Sequence, residues 1–220
     1  MSESEGARVT RGLEAQFRAL AAKRAEGDEL IGWKIGINAE PVQKHFGLSR
    51  PVLGHLTRAS LIEPGATHSV AGGVRVGVEP EVAIHLGEGG VIESLGPAIE
   101  VVDLDPALTE LEPILAGNVF HRGVVLGPPA GGVGPADLAR IAVTVEKNGT
   151  VVERASYADA GEDPLDVVRL IAERLALVGA ELDAGQVIIA GSLTPIVFVE
   201  PGDRIEIDLG PVGSLGLSLD

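Results

Sequence analysis

Val78-Glu79-Pro80-Glu81-Val82-Ala83-Ile84 is an apolar stretch that carries two acids one residue apart. An extended strand points residues two apart to the same face, so Glu79 and Glu81 converge on one point. A third acid, Glu100, stands inside a second apolar run, Ala98-Ile99-Glu100-Val101-Val102. Carboxylates are rarely buried unless they are paired or bind a metal, and a lone acid between Ile99 and Val101 is costly. Pro80 cannot donate a ladder hydrogen bond and belongs at an edge or bulge, where a strand opens to a pocket. If Glu100 comes from a neighbouring segment, Glu79, Glu81 and Glu100 form an oxygen-only site suited to a hard divalent cation, Mg2+ or Mn2+. The bland alternative for Glu-x-Glu alone is a solvated strand face.

Around this core the chain is rich in short strands. Gly73 to Val78, Glu81 to Leu86, Glu100 to Val102 and Gly123 to Leu126 are apolar segments punctuated by glycine, as is Ser60 to Ile62. Asn148-Gly149 separates two alternating segments and predicts a tight hairpin. Gln186 to Ile189, Ile196 to Val199, Arg204 to Leu209 and Ser214 to Leu219 follow as strands. Two principal helices are expected. Residues 8–26 place Val9, Leu13, Phe17, Leu20 and Ala21 at helical spacing, with Gly27 as a stop. Asp163-Pro164 caps and opens the second, with Leu165, Val168, Ile171, Leu175 and Val178 as its apolar face and Gly179 at its end. Asn38 is the expected cap of a short helix that runs to Gly47. Two main helices among about ten strands, without regular alternation, make the fold α+β.

Composition narrows the partners. The 220 residues are 45% hydrophobic, enough for one domain over residues 1–220. Seventeen basic against 32 acidic residues leave a formal charge of −15 with no basic cluster, which speaks against nucleic acid or an anionic membrane and for a small molecule or metal. Without cysteine, any metal is held by oxygen or imidazole. Met1-Ser2-Glu3-Ser4-Glu5 is acidic and lacks an apolar signal region, so a cytoplasmic protein is expected.

Other residues carry chemistry less specifically. Lys34 lies between Gly32-Trp33 and Ile35-Gly36, where glycines let a ligand approach, although a strand lysine is commonly a surface charge. Asn118, His121 and Arg122 follow Ile114-Leu115-Ala116 and precede a strand, a position from which polar groups reach a cavity or satisfy a loop. Gly191-Ser192 can offer a backbone N–H and a hydroxyl to a carboxylate, or form a plain turn. His85 shares the Glu79 and Glu81 face but stands farther along it, nearer the strand end. No nucleophile elbow, P-loop or dinucleotide fingerprint is present.

In order and spacing, these fragments resemble the fumarylacetoacetate hydrolase superfamily, in its branch of 2-keto-4-pentenoate hydratases and 4-oxalocrotonate decarboxylases. Gly32-Trp-Lys34-Ile-Gly36, Glu79-Pro-Glu81-Val-Ala, Pro97-Ala-Ile-Glu100-Val-Val and Gly185-Gln-Val-Ile-Ile-Ala-Gly191 carry the likeness, with Pro201-Gly-Asp203 near the end. The resemblance implies a mixed β-sandwich roll with a few flanking helices and a short N-terminal helix, forming a homo-oligomer. It implies Glu79, Glu81 and Glu100 as ligands of Mg2+ or Mn2+, Lys34 as the catalytic cation at the oxo-acid end, and Asn118 and Ser192 at the substrate. The implied activity is that of a metal-dependent lyase of aromatic catabolism, acting on a short 2-oxo acid through an enolate. A hydratase is the first form, with a 2-oxo dicarboxylate decarboxylase, an acylpyruvate C–C hydrolase or a non-catalytic carboxylate binder as alternatives.

Two segments depart from the hydratases. Their Pro-Asp-x-Gly reads Pro51-Val52-Leu53-Gly54, and their Ala-Asp-Asn-Ala-Ser reads Ala116-Gly117-Asn118-Val119-Phe120-His121. The first loses an acid that is a candidate for handling the proton or water, and the second keeps an amide but loses the acid and the serine, while the metal end stays intact.

Overall fold

The apolar runs pair into two sheets in the computed structural model, which describes residues 4–105 and 109–220; Met1 to Glu3 of the acidic N-terminus lie outside it. In chain order the elements are α1 (Glu5–Ala25), β1 (Leu30–Gly36), α2 (Glu40–Phe46), β2 (Val52–Thr57), β3 (Leu61–Ile62), β4 (Thr67–His68), β5 (Val76–Leu86), β6 (Ile92–Asp103), α3 (Leu111–Ala116) and β7 (His121–Leu126). The second half adds β8 (Ala142–Lys147), β9 (Thr150–Ser156), α4 (Tyr157–Ala160), α5 (Pro164–Ala176), β10 (Val187–Ile189), β11 (Val197–Phe198), β12 (Arg204–Asp208) and β13 (Ser214–Leu219). None of the described helices is long and apolar enough to cross a membrane.

The larger sheet runs β2-β1-β10-β5-β6-β7-β3, with β11 also on β5. Laid flat, its end strands would stand about 29 Å apart at ~4.8 Å per spacing. Yet Thr57, which ends β2, is joined to Leu61, which begins β3, by three residues that reach about 14 Å. The sheet therefore curls and brings its ends together. The smaller sheet, β4-β13-β12-β8-β9, packs with α1 on the convex side, where Trp33, Val82, Ile84 and Ile99 share one core with Val145 and Ile207. Leu56, Ala83, Ala98, Val124 and Ile189 fill the concave side as a separate apolar cluster.

Local chemistry explains the elements the sequence anticipates. Asn148 and Gly149 take φ of 55° and 75°, the left-handed pair of a tight hairpin turn between β8 and β9. Asp163 accepts from the Leu165 N–H at 2.8 Å and caps α5. On α1, Val9, Leu13 and Leu20 are buried, and Phe17 stacks on Trp33 with ring centroids 5.6 Å apart. Gln16, buried in the same face, donates to Leu53 O and Leu115 O and ties α1 to β2 and α3.

The structure differs from the sequence reading at five places. Residues 73–78 and 81–86 are not two strands, because β5 runs unbroken through Pro80. It does so because β10 pairs with Ala83 to His85 and β11 with Gly77 and Val78, leaving Pro80 opposite the gap between them, where no donor is required. Asn38 does not cap α2, since its amide donates to Ser192 O at 3.2 Å. The buried face of α5 is Val167, Leu170, Ile171 and Leu175, whereas Leu165 is 57% exposed in the first turn. His121 and Arg122, expected to precede a strand, are the first residues of β7, and the apolar Ile114-Leu115-Ala116 before them closes the short helix α3. Thirteen strands are described rather than about ten, those not anticipated being β2 and the two-residue β4.

Candidate active site

The register of the curled sheet builds the site. Residues directly opposite one another in a ladder share a face. Glu79 pairs with Glu100, Ala83 pairs with Ile189, and Lys34 pairs with Ile189 and Gly54, so all three acids and Lys34 point into the concave side. One oxygen from each of Glu79, Glu81 and Glu100 lies within 4.8 Å of the others. Lys34 Nζ donates to both oxygens of Glu100, at 2.6 and 2.9 Å, and to Val119 O at 3.1 Å. Strands β1 and β6 are three spacings apart, about 14 Å in a flat sheet, so only the curl lets these side chains meet.

Glycine makes room for the lysine. A Cβ on Gly54 would stand 2.7 Å from Lys34 Cγ and 3.0 Å from Asn118 Oδ1, and one on Gly36 would stand 2.7 Å from Val119 Cγ1. The turn behind Lys34 is strained: Asn118, Val119 and Phe120 have φ of 64°, 53° and 63°. Left-handed backbone costs ~1–2 kcal/mol per non-glycine residue. Asn118 holds it, its Oδ1 accepting from His55 N at 2.7 Å and its Nδ2 donating to His55 O at 2.9 Å.

The link between β10 and β11 crosses the gap beside Pro80 and supplies the acids' remaining partners. The Leu193 N–H donates to Pro80 O at 2.9 Å and the Gly191 N–H to Glu81 Oε2 at 2.6 Å. Gly191 has φ of 90°, and a Cβ there would lie 2.9 Å from the Asn38 amide. The Ser192 hydroxyl donates to Thr194 O at 2.8 Å, and Ser192 lines the same cavity as Glu79. On the other flank, His121 Nδ1 stands 2.7 Å from Glu100 Oε1.

The charges do not balance by themselves. Burial raises the Glu100 carboxyl, but the Lys34 ammonium and His121 outweigh it and hold Glu100 below the usual carboxylate range. Burial opposes the charge on Lys34, yet Glu100, Glu79 and Glu81 together raise its pKa and keep it an ammonium. Glu79 is pushed up to about 7 by burial and by Glu100, against Lys34 and Ser192. Burial, Glu100 and Glu79 carry Glu81 well above its ordinary value, against Lys34 and the Gly191 N–H. Two acids thus lack a counter-ion. The donor set fits a hard divalent cation: all three ligands are carboxylates, and among the described residues Glu100 Oε2 accepts only from Lys34, so a lone pair remains.

These groups floor a cavity of about 770 Å3 lined by Lys34, Glu79, Glu81 and Ser192, together with Asn38, Thr194 and, from α4, Asp159 and Ala160. Of the residues expected at the site, Lys34, Glu79, Glu81, Glu100 and Ser192 come together. Asn118 sits behind Lys34 with its amide bonded to the His55 backbone. His85 lies at the far end of β5, with Glu93 as its charged neighbour. Val52 shares the site face but is fully buried. Sequence reasoning singled out Gly191-Ser192 as donors for a carboxylate and His121 as a polar group at a cavity, but not that their partners are Glu81 and Glu100, and it missed the lining that α4 contributes.

Comparison with known proteins places the chain in a family. The model of the fumarylacetoacetate (FAA) hydrolase C-terminal domain matches residues 19–218. A 2-hydroxyhexa-2,4-dienoate hydratase of Comamonas testosteroni is 28% identical over 214 residues, covering 90% of this chain and 81% of the relative. A 4-oxalocrotonate decarboxylase of Pseudomonas putida is 26% identical over 214 residues, covering 91% and 81%. The solved 4-oxalocrotonate decarboxylase from Pseudomonas putida G7, complexed with magnesium and adipate, superposes with a TM-score of 0.85 at 25% identity, covering 95% of this chain and 85% of that one. At 17% identity and a TM-score of 0.67, a fumarylpyruvate hydrolase from Pseudomonas aeruginosa, solved with Mn2+ and pyruvate, shares the fold. The match over residues 19–218 shows that the chain belongs to the fumarylacetoacetate hydrolase family.

Proposed function

We propose that this chain is a divalent-metal-dependent lyase acting on a short 2-oxo acid in its keto or dienol form, with hydration as its reaction. The observation that carries it is the convergence of Glu79, Glu81 and Glu100 within 4.8 Å beside a buried, protonated Lys34 at the floor of a cavity. The three glutamates hold Mg2+ or Mn2+, the ions named with two of the solved neighbours. When bound, the cation supplies positive charge at the substrate's carboxylate and 2-oxo oxygens.

The protein's own groups do the rest. Lys34 is fixed by Glu100 and Val119 O, so its charge is already in place when negative charge develops at the oxo end. Gly191 orients Glu81, and His121 and Lys34 orient Glu100, which keeps the carboxylates from turning toward each other's lone pairs. Ser192 lines the cavity with Glu79, and a substrate oxygen competes with Thr194 O for its hydroxyl proton. Asn118 acts from behind the wall by holding the turn that carries Val119 and Phe120.

Decarboxylation of a 2-oxo dicarboxylate is the second reading, favoured by the 0.85 superposition on the 4-oxalocrotonate decarboxylase and by Val52, whose position lacks the acid of the hydratases. The same proposal treats the chain as one catalytic domain over residues 1–220, a homo-oligomer of the cytoplasm. The test offers 2-hydroxypenta-2,4-dienoate, oxaloacetate and an acylpyruvate in turn, with and without Mg2+, and follows the dienol or enol absorbance. Metal-dependent loss of the dienol supports the hydratase. Turnover of oxaloacetate alone moves the assignment to decarboxylation, and no metal-dependent turnover of any of them removes the enzyme reading.

A further inference from the structure

Beyond its metal floor, the cavity is lined by apolar side chains and by three further acids. Ile37, Leu104, Phe120, Leu193 and Ile196 make up its apolar wall, with Val42 of α2. The further acids are Glu40, Asp159 and Glu162, in addition to Glu79 and Glu81 at the floor. Among the described lining residues Lys34 is the one cation, and Glu100 and Val119 O already take its donors. Lys44, which neighbours Glu40 on α2, is ion-paired with it at 2.6 Å and does not line the cavity.

From this arrangement we infer that the substrate carries a single carboxylate, at its 2-oxo end, and an uncharged apolar tail, and that the distal wall rejects a second carboxylate. The inference rests on the metal and oxo-acid reading above and selects within it. A carboxylate at the far end would lose its hydration against Leu104, Phe120 and Ile196 and find no free guanidinium or ammonium among the described lining residues to replace it. Asp159 and Glu162 would repel it, and the formal charge of −15 disfavours the approach of a dianion more than that of a monoanion. An alkyl or alkenyl tail on the same wall gains from leaving water. About 770 Å3 also exceeds what a three-carbon 2-oxo acid fills, so the wall has room for such a tail. Phe120 and Ile37 are held there by left-handed backbone, φ of 63° and 55°, which fixes the wall's shape independently of any ligand.

The experiment is calorimetric and needs no turnover. Pyruvate, 2-oxohexanoate and 2-oxoadipate are titrated into the Mg2+-loaded protein; the last two have the same carbon count and differ at the distal terminus. The expected order is 2-oxohexanoate tightest, by at least tenfold over both pyruvate and 2-oxoadipate. Leu104→Arg, which adds a cation to the wall, is expected to raise 2-oxoadipate affinity at least tenfold and to weaken 2-oxohexanoate. If 2-oxoadipate binds the unaltered protein as tightly as 2-oxohexanoate while pyruvate also binds, the wall does not select tails and this inference alone falls. If none of the three binds in the presence of Mg2+, the oxo-acid reading itself fails and takes the inference with it.

Discussion

Lys34 and Glu100 form a buried two-point ion pair, Nζ to Oε1 at 2.6 Å and to Oε2 at 2.9 Å, with both side chains under 3% exposed. The pair spans the concave side of the curled sheet from β1 to β6. It consumes the single ammonium of the site, and that leaves Glu79 and Glu81 as the acids that call for a cation.

Removing one partner of such a pair leaves an uncompensated buried charge, which costs about 3–5 kcal/mol. Lys34→Met is therefore expected to destabilise the metal-free protein by an amount in that range in urea unfolding and to lose turnover. Mg2+ should restore part of the stability, because the added cation lies against the same three carboxylates. An unchanged unfolding midpoint in the metal-free variant would mean that Glu100 is not charged in the fold.

Glu81 offers a ligand that nothing else in the site replaces. Glu81→Ala should weaken Mg2+ and Mn2+ binding by ~100-fold or more, since two carboxylates and water hold a hard ion far less well. Isothermal titration with each ion reads this directly, and equal affinity in the variant would remove the proposed centre.

Metal affinity should depend on pH in a defined direction. Glu79, raised to about 7, and Glu81, raised well above its ordinary value, must lose their protons to act as ligands. Affinity is expected to increase as pH rises through about 7, with proton release on binding at pH 6.5, seen as a dependence of the calorimetric heat on the buffer. In the metal-free protein the folded state holds these protons at pH values where the unfolded chain has released them. Stability should then fall from pH 6.5 to 8 in the presence of a chelator. Below 6.5 the buried His55, lowered to about 3, contributes the opposite slope, because the unfolded chain takes up a proton there and the folded one does not. A metal-free stability that rises between pH 6.5 and 8 contradicts the raised acids.

His121 is a positioning residue for Glu100. Its Nδ1 reaches Oε1 at 2.7 Å, while its Nε2 is buried without a partner among the described residues. His121→Ala is expected to reduce Mg2+ affinity about 10- to 100-fold, as loss of an outer partner of a ligand does. His121→Asn, whose amide can still donate to Oε1, should recover part of it. A purely structural role would lower the melting temperature in both variants and leave metal affinity equal.

Legibility in the sequence followed the range of the interaction. Asn148-Gly149, Asp163-Pro164 and the Glu79, Pro80, Glu81 alternation are read correctly because each is decided by backbone geometry within a few residues. Pro80 was legible as a place where a strand opens, but whether it broke the strand depended on the gap between β10 and β11, more than 100 residues away. The face of α5 was misjudged at Leu165 because which part of an apolar face is covered depends on what packs against it.

By itself the sequence determined that three acids lie in strands that would otherwise be core, that a lysine sits between glycines, and that the fold is a strand-rich α+β with few helices. Only the tertiary structure decided that the larger sheet curls. That curl places Lys34 on Glu100, brings the Gly191 N–H to Glu81 and His121 to Glu100, and gathers apolar side chains into the same cavity as the acids. The physical reason is that strand alternation assigns each side chain to a face, while the distance between faces of non-adjacent strands is set by sheet curvature, a property of all the strands together.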